Sequence, residues 1–359
     1  MKKLLFAAHN LDLGGIETAL VMITNQLVKK GYDITIALEK KEGVFLKRLD
    51  KNIKIVEYNT STSDNMILRK LQNLKNRIKF IVKYKNKFDF AASFATYSLA
   101  SSFMARVASK NTALWGHADY LTLFDNDEQK VKNFFEQIKY KKFSKIVFVS
   151  EEGKKSFVKI FPDCKEKTFV CNNMIDGEDI IKKSNIIVED FKRTEEPLFI
   201  NIGRHDEKQK KLTRIIKSAE ILSKEYKFKI LFIGDGKDTE KYKKVVKEKN
   251  LENIIIFLGR KQNPYPYVKM SDCVILSSEY EGYPVVYLES FILNKPLITT
   301  KVSDYEQVAD GRGIVVEKKS EEIYNAMKQF IKKGYKITKK FDYKNYNENI
   351  LKTLEKIFL

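Results

Sequence analysis

Cysteine is scarce in this 359-residue chain: Cys164, Cys171 and Cys273 are its only three. Their spacing fits no metal-ligand pattern, and an odd number of thiols predicts a reducing, cytoplasmic setting rather than a disulfide framework. No apolar run approaches the ~20 residues needed to cross a bilayer. The opening MKKLLFAAHNLDLGG is too short in its apolar part for a signal peptide and reads as a first strand ending in a glycine turn. No G-x-G-x-x-G fingerprint occurs, which counts against a standard dinucleotide dehydrogenase. Histidine is limited to His9, His117 and His205. Acidic residues are outnumbered, 47 against 67 Lys and Arg, for a net charge of +20. Such an excess favours an anionic neighbour: nucleic acid, an anionic membrane or a phosphorylated ligand. A lysine-rich solvated surface is the plainer alternative.

The charge clusters at 66–88, MILRKLQNLKNRIKFIVKYKNKF, which holds eight basic residues and no acidic one. Ile67, Leu71, Leu74, Ile78 and Ile81 recur in steps of four and three, which predicts a helix with one apolar stripe. The expectation is that the stripe packs on a sheet while Arg69, Lys70, Lys75, Arg77, Lys79 and Lys83 face an anionic membrane surface. The aromatic residues interleaved there are only Phe80, Tyr84 and Phe88, too few to favour nucleic-acid binding, and none is expected.

Short β-rich runs alternate with helical ones from end to end. In the first half they are 2–8, 33–39, 52–58, 88–94, 112–117 and 145–150; in the second, 197–203, 228–234, 253–259, 272–278, 296–300 and 313–316. Strands apolar on both faces, separated by crossover helices, predict parallel sheets covered on both sides. The polar stretch 176–197 reads as a linker, giving an α/β chain of two doubly wound Rossmann-like domains, 1–180 and 181–340, with a last helix in 341–359 packing back toward the first domain. Ligands of such sheets bind at the carboxyl ends of the strands, in a cleft between two such domains.

The loops there carry the chemistry. Gly14 and Gly15 follow the first strand and open a helix whose N–H groups suit a phosphate or a sugar hydroxyl, although a Gly-Gly pair also fits a compact turn. His117 ends the fifth predicted strand, with Asp119 placed to orient its ring or the substrate; a structural hydrogen bond is the alternative for the histidine. Arg204 and Lys210, with Lys211 next to it, follow the strand 197–203 and form a cationic partner for a diphosphate. In SSEYEGYPVVYLESFILNKPLITT, residues 277–300, Glu281 and Glu289 flank a helix start at Pro284. Glu281 belongs to the loop and Glu289 to the helix, with first-turn amides between them, unless the two acids merely cap and solvate the helix.

The motifs GGIE, WGHAD, VSEEGK, CNNMID, GR with Lys210, GDG and E-x7-E occur in an order that resembles the retaining glycosyltransferases of family 4, of bacterial cell-surface polysaccharide type, over nearly the whole chain. The resemblance implies a GT-B fold and transfer of a hexose or N-acetylhexosamine from a nucleotide-diphosphate sugar, UDP-linked, to a lipid-linked glycan. It implies that Arg204 and Lys210 hold the diphosphate, Glu289 the ribose, and Glu281 and His117 the donor sugar. Gly14, Gly15, Gly282, Tyr283 and Val285 would add contacts to the donor. No metal or cofactor is implied, and the enzyme would work in the cytoplasm, peripheral to the inner face of the membrane. A sugar-nucleotide epimerase of the same fold is the alternative. Three positions depart from the pattern: Lys211 stands where the family has glycine, Met174 follows Asn173 in place of glycine, and Ala118 follows His117 in place of an acid.

Overall fold

A computed structural model describes every residue except Leu13 and Thr62. The chain divides into two compact units: Met1–Ile175 with Tyr346–Leu359, and Asp176–Asn345.

The first unit is built on a parallel sheet of seven strands: β1 (Lys3–Ala8), β2 (Asp33–Leu38), β3 (Lys54–Glu57), β4 (Phe90–Ser93), β5 (Thr112–Gly116), β6 (Lys145–Phe148) and β7 (Thr168–Val170). Their order is β3-β2-β1-β4-β5-β6-β7. The second unit has β8 (Leu198–Ile202), β9 (Lys229–Ile233), β10 (Ile255–Gly259), β11 (Cys273–Leu276), β12 (Leu297–Thr300) and β13 (Gly313–Val316), in the order β10-β9-β8-β11-β12-β13. Pairing is parallel throughout. Central strands such as β4 and β11 are buried along their whole length, because crossover helices cover both faces. In each sheet the order reverses once, between β1 and β4 and between β8 and β11. A doubly wound sheet opens its binding crevice at such a point.

Helices α1 (Gly15–Lys29), α2 (Met66–Tyr84) and α3 (Leu99–Ala108) belong to the first unit. The last helix, Tyr343–Ile357, joins that unit from Tyr346 onward. There Ile350, Leu354 and Ile357 are buried, and the Asn347 side chain both accepts from Ile175 N at 3.0 Å and donates to Ile175 O at 2.7 Å.

Three expectations need correction. The stretch 176–197 is no free linker. It opens with a helix, Gly177–Lys183, and is tied to the second unit where Asn263 Nδ2 donates to Lys183 O at 3.0 Å and Arg193 pairs with Asp272 at 2.6 Å. The unit boundary accordingly lies at Ile175–Asp176 rather than at 180. Strand β7 was not anticipated, being three residues long and only partly buried. The third concerns α2. Its apolar stripe does not pack on the sheet, and Phe80 is the helix's only buried side chain. Phe80 turns inward, against Tyr58 and Phe103, with Tyr84 packed on Phe80.

Candidate donor site

The switch point of the second sheet brings together the loops that follow β8 and β11. After β8 the chain runs through Gly203 and Arg204 to Lys210, then enters the helix Leu212–Leu222. Gly234, after β9, lies directly against this turn: its φ is +147°, and a Cβ there would sit 1.8 Å from the Gly203 carbonyl oxygen. The GDG turn is therefore a close-packing device beneath the β8 loop. His205 is fully buried in the same turn, with Nδ1 2.9 Å from Thr239 Oγ1 and its ring among Phe232, Tyr242 and Phe257. Burial holds its pKa below the usual imidazole range.

Lys210 crosses from this loop to the next. Its Nζ lies 2.6 Å from Glu281 Oε1, with the two side chains 17% and 7% exposed. The Ser278 hydroxyl donates to the same carboxylate, and Gln209 Nε2 approaches its other oxygen at 3.4 Å. Backbone ties fix the Glu281 loop: Thr300 Oγ1 donates to Ser278 O and Ser303 Oγ to Glu281 O, both at 2.7 Å. Exposed Arg204 donates from Nη2 to Gln209 Oε1 at 3.0 Å, so Gln209 links Arg204 to the acid that Lys210 meets directly. In the sequence only the Ser-Ser pair before the glutamate points to Ser278, and nothing local points to Gln209.

Lys211 takes φ +50° as the cap of the helix Leu212–Leu222, the left-handed conformation that glycine adopts most easily. Its departure from the family glycine thus keeps the backbone shape. Its side chain is not the one on Glu281; Lys210 is.

Helix Val285–Ile292 begins after Pro284 and presents the N–H groups of its first turn, half-buried Val285 included, beside half-exposed Gly282. Tyr283 is buried and accepts from Gln307 Nε2 at 3.4 Å, a packing role. Glu289, half-buried in the helix, accepts from Tyr265 Oη at 3.2 Å. Burial pushes its pKa up to about 7, with the Tyr265 hydrogen bond pulling the other way.

The other predicted residues belong to the first unit. Gly14 caps α1 in an extended conformation, and Gly15 has open space around it. Glu17 folds its carboxylate over Gly14, so in this state an acid of the chain itself occupies the helix mouth. Half-buried His117 places Nε2 2.9 Å from the Phe94 carbonyl and packs its ring on Phe94. Burial lowers its pKa to about 4. The expectation that Asp119 orients this ring is overturned: Asp119 accepts from Leu121 N and Thr122 and caps the short helix Tyr120–Leu123. Phe94 does the orienting.

At the switch point of the first sheet, loops after β1, β2, β3 and β4 line a cavity of about 710 Å³. One part of its lining is hydroxyl-binding: Glu39 accepts from Ser98 and lies 3.5 Å from His9. Another is cationic, with Arg77, Arg106 and Lys139, none of which forms an ion pair among the described residues.

Residues 182–348 match the family described as glycosyl transferases group 1. An uncharacterized glycosyltransferase of Methanocaldococcus jannaschii is 32% identical over 45% of this chain and 40% of its own length. The O-antigen biosynthesis glycosyltransferase WbnH of Escherichia coli is 32% identical over 39% of this chain and 38% of its own. These matches thus span less than half of either relative. The N-acetylgalactosamine-N,N'-diacetylbacillosaminyl-diphospho-undecaprenol 4-alpha-N-acetylgalactosaminyltransferase of Campylobacter jejuni is 27% identical over 65% of this chain and 62% of its own. Among solved structures, Anabaena HepE in complex with UDP and glucose superposes with a TM-score of 0.74 at 16% identity, over 99% of this chain and 100% of that one. Residues 182–348 are thus similar to the group 1 glycosyl transferases, and the two Rossmann-like units have the GT-B fold.

Proposed function

We propose that the chain is a retaining glycosyltransferase that moves a hexose or N-acetylhexosamine from a UDP-linked donor to a lipid-linked glycan in cell-surface polysaccharide synthesis. The observation that carries this reading is the Lys210–Glu281 pair, with Arg204 beside it, on the switch-point loops of a unit similar to the group 1 glycosyl transferases. Arg204 and Lys210 neutralise charge developing on the departing diphosphate, helped by first-turn amides at Val285. The same cations do the work a metal would do, so the reading needs none. Glu281 meets the donor sugar, and Glu289 accepts from the ribose hydroxyls. His117 offers Nδ1 as an acceptor, since Nε2 is committed to Phe94. Retention without a covalent intermediate has the leaving phosphate take the proton of the incoming hydroxyl. UDP is favoured because HepE was solved with it, and a lipid diphosphate acceptor because the Campylobacter relative's name contains one.

The acceptor is assigned to the first-unit cavity. Its volume suits a sugar or two. Glu39, His9 and Ser98 meet hydroxyls there, while Arg77 and Arg106 meet phosphate. The family match does not favour the epimerase alternative.

Transfer from a panel of UDP-sugars to a lipid-diphosphate glycan tests this. Glu281→Ala and Arg204→Ala should each abolish most of the turnover. Full activity in both variants would remove the site assignment, and a chain stabilised by UDP but by none of its sugar conjugates would remove the transferase reading.

A further inference from the structure

Helix α2 is mounted with its apolar stripe outward. It rests on the first unit through a polar and aromatic face: Asn73 Oδ1 accepts from Ser61 N at 2.9 Å, Asn76 Nδ2 donates to Asn59 O at 2.7 Å, and buried Phe80 packs on Tyr58 and Phe103. Arg77 stacks over Phe103 at 4.7 Å. At about 100° per residue, Ile67, Leu71, Leu74 and Ile78 fall on the opposite side. They are 70%, 58%, 53% and 53% exposed, and Val82 beside them is 76% exposed. Lys70 borders this stripe on one flank, Lys75 and Lys79 on the other. The Asn65 side chain caps the helix, accepting from Ile67 N at 3.0 Å and Leu68 N at 3.2 Å, so the arrangement is a formed helix rather than a fraying segment.

A surface helix ordinarily turns its stripe to the core, and a contiguous exposed apolar row marks a contact site. Charge identifies the occupant. A second copy of the chain would lay one lysine-flanked stripe against another, with no acid on α2 to separate them. An anionic bilayer meets both requirements, acyl chains for the stripe and headgroup phosphates for the lysines. The helix spans about 28 Å lengthwise, and among the described residues no helix is long and apolar enough to cross a membrane.

We propose that α2 lies in the plane of an anionic lipid bilayer, its Ile67–Leu71–Leu74–Ile78 stripe in the acyl boundary and its lysines at the headgroups. The inference stands apart from the reaction proposed above, although the two connect: Asn73 and Arg77 of α2 also line the first-unit cavity, so docking brings that cavity's rim to the lipid surface.

The test is co-sedimentation of the full chain with vesicles of phosphatidylcholine alone or mixed with phosphatidylglycerol. Binding should require the anionic lipid and weaken with salt. It should fall at least tenfold in Lys75→Gln/Lys79→Gln and be lost in Leu74→Glu/Ile78→Glu. UDP-induced thermal stabilisation, unchanged in both variants, shows that they fold. Equal binding to both vesicles, or variants that bind as well as wild type, overturns the proposal. So does self-association that Leu74→Glu/Ile78→Glu abolishes in a chain that ignores vesicles. Transfer to a water-soluble acceptor analogue, measured on the same variants, separates this failure from that of the reaction.

Discussion

Lys210 Nζ and Glu281 Oε1 meet at 2.6 Å, joining the loops after β8 and β11 through an ion pair largely withdrawn from water. Removing one partner strands the other. Lys210→Met should destabilise the chain by on the order of 3 kcal/mol, while Lys210→Met/Glu281→Gln should cost clearly less than the two single changes together. Denaturant unfolding of the four proteins measures the coupling. Strict additivity would mean the pair contributes nothing as a unit. In the transfer assay Glu281→Gln should lower turnover by roughly 10²-fold with little change in UDP affinity.

Lys211 holds a left-handed backbone, φ +50°, that glycine adopts without strain. Lys211→Gly should raise stability by about 0.5–1 kcal/mol, seen as a higher Tm. Nucleotide affinity should stay as it is, because the cation facing Glu281 is Lys210. A large loss of UDP affinity would transfer the diphosphate role to Lys211.

Glu289 yields a pH signature. Its pKa rises from about 4.5 unfolded to about 7 folded, because burial penalises the ionised form. Between those values the folded state binds more protons, so stability falls as pH rises, and the cost is fully present above pH 7. Glu289→Gln should therefore be stabilising relative to wild type at pH 8 and nearly neutral at pH 4. Residual exposure of the side chain screens part of the effect, leaving about 1–3 kcal/mol. Tm measured across pH 4–8 checks the slope. UDP affinity should also strengthen with pH in the wild type more than in the variant, since the ionised carboxylate is the better acceptor for ribose hydroxyls.

What could be read ahead of the structure divides along physical lines. Doubly apolar strands such as β4 and β11 announce themselves because both faces are buried, and the loop–helix split of Glu281 and Glu289 follows from Gly282 and Pro284. The orientation of α2 does not follow from its periodicity. A stripe is visible in sequence, but which side faces the core is decided by contacts of Asn73 and Asn76 with the distant backbone at Ser61 and Asn59. The same holds for 176–197, whose polar composition reads as linker until Asp272 and Asn263 take up its hydrogen bonds. Gln209 and Ser278 converge on Glu281 only through tertiary folding, and local pattern carries no record of that. Asp119 stands next to His117 in the chain, yet its side chain turns to the helix start at Tyr120, and adjacency in sequence does not show that choice.

His117 makes the last prediction. Its ring is held by the Phe94 carbonyl, and burial keeps its pKa near 4, so it is neutral across the working range. With Nε2 donating, Nδ1 carries the lone pair and can accept a sugar hydroxyl without taking part in proton transfer. The pH–rate profile should then show no limb near pH 6.5 from this residue. His117→Gln keeps a donor for Phe94 while replacing the Nδ1 lone pair with an amide oxygen in a different position, so it should lower transfer about 10- to 100-fold by the same factor from pH 6 to 8. Stability adds a second readout. Because the unfolded imidazole binds a proton near 6.5 and the folded one only near 4, wild type loses stability as pH falls between those values, and the variant should lose less. A pH–rate limb near 6.5 that vanishes in His117→Gln would instead make this histidine a titrating acid or base.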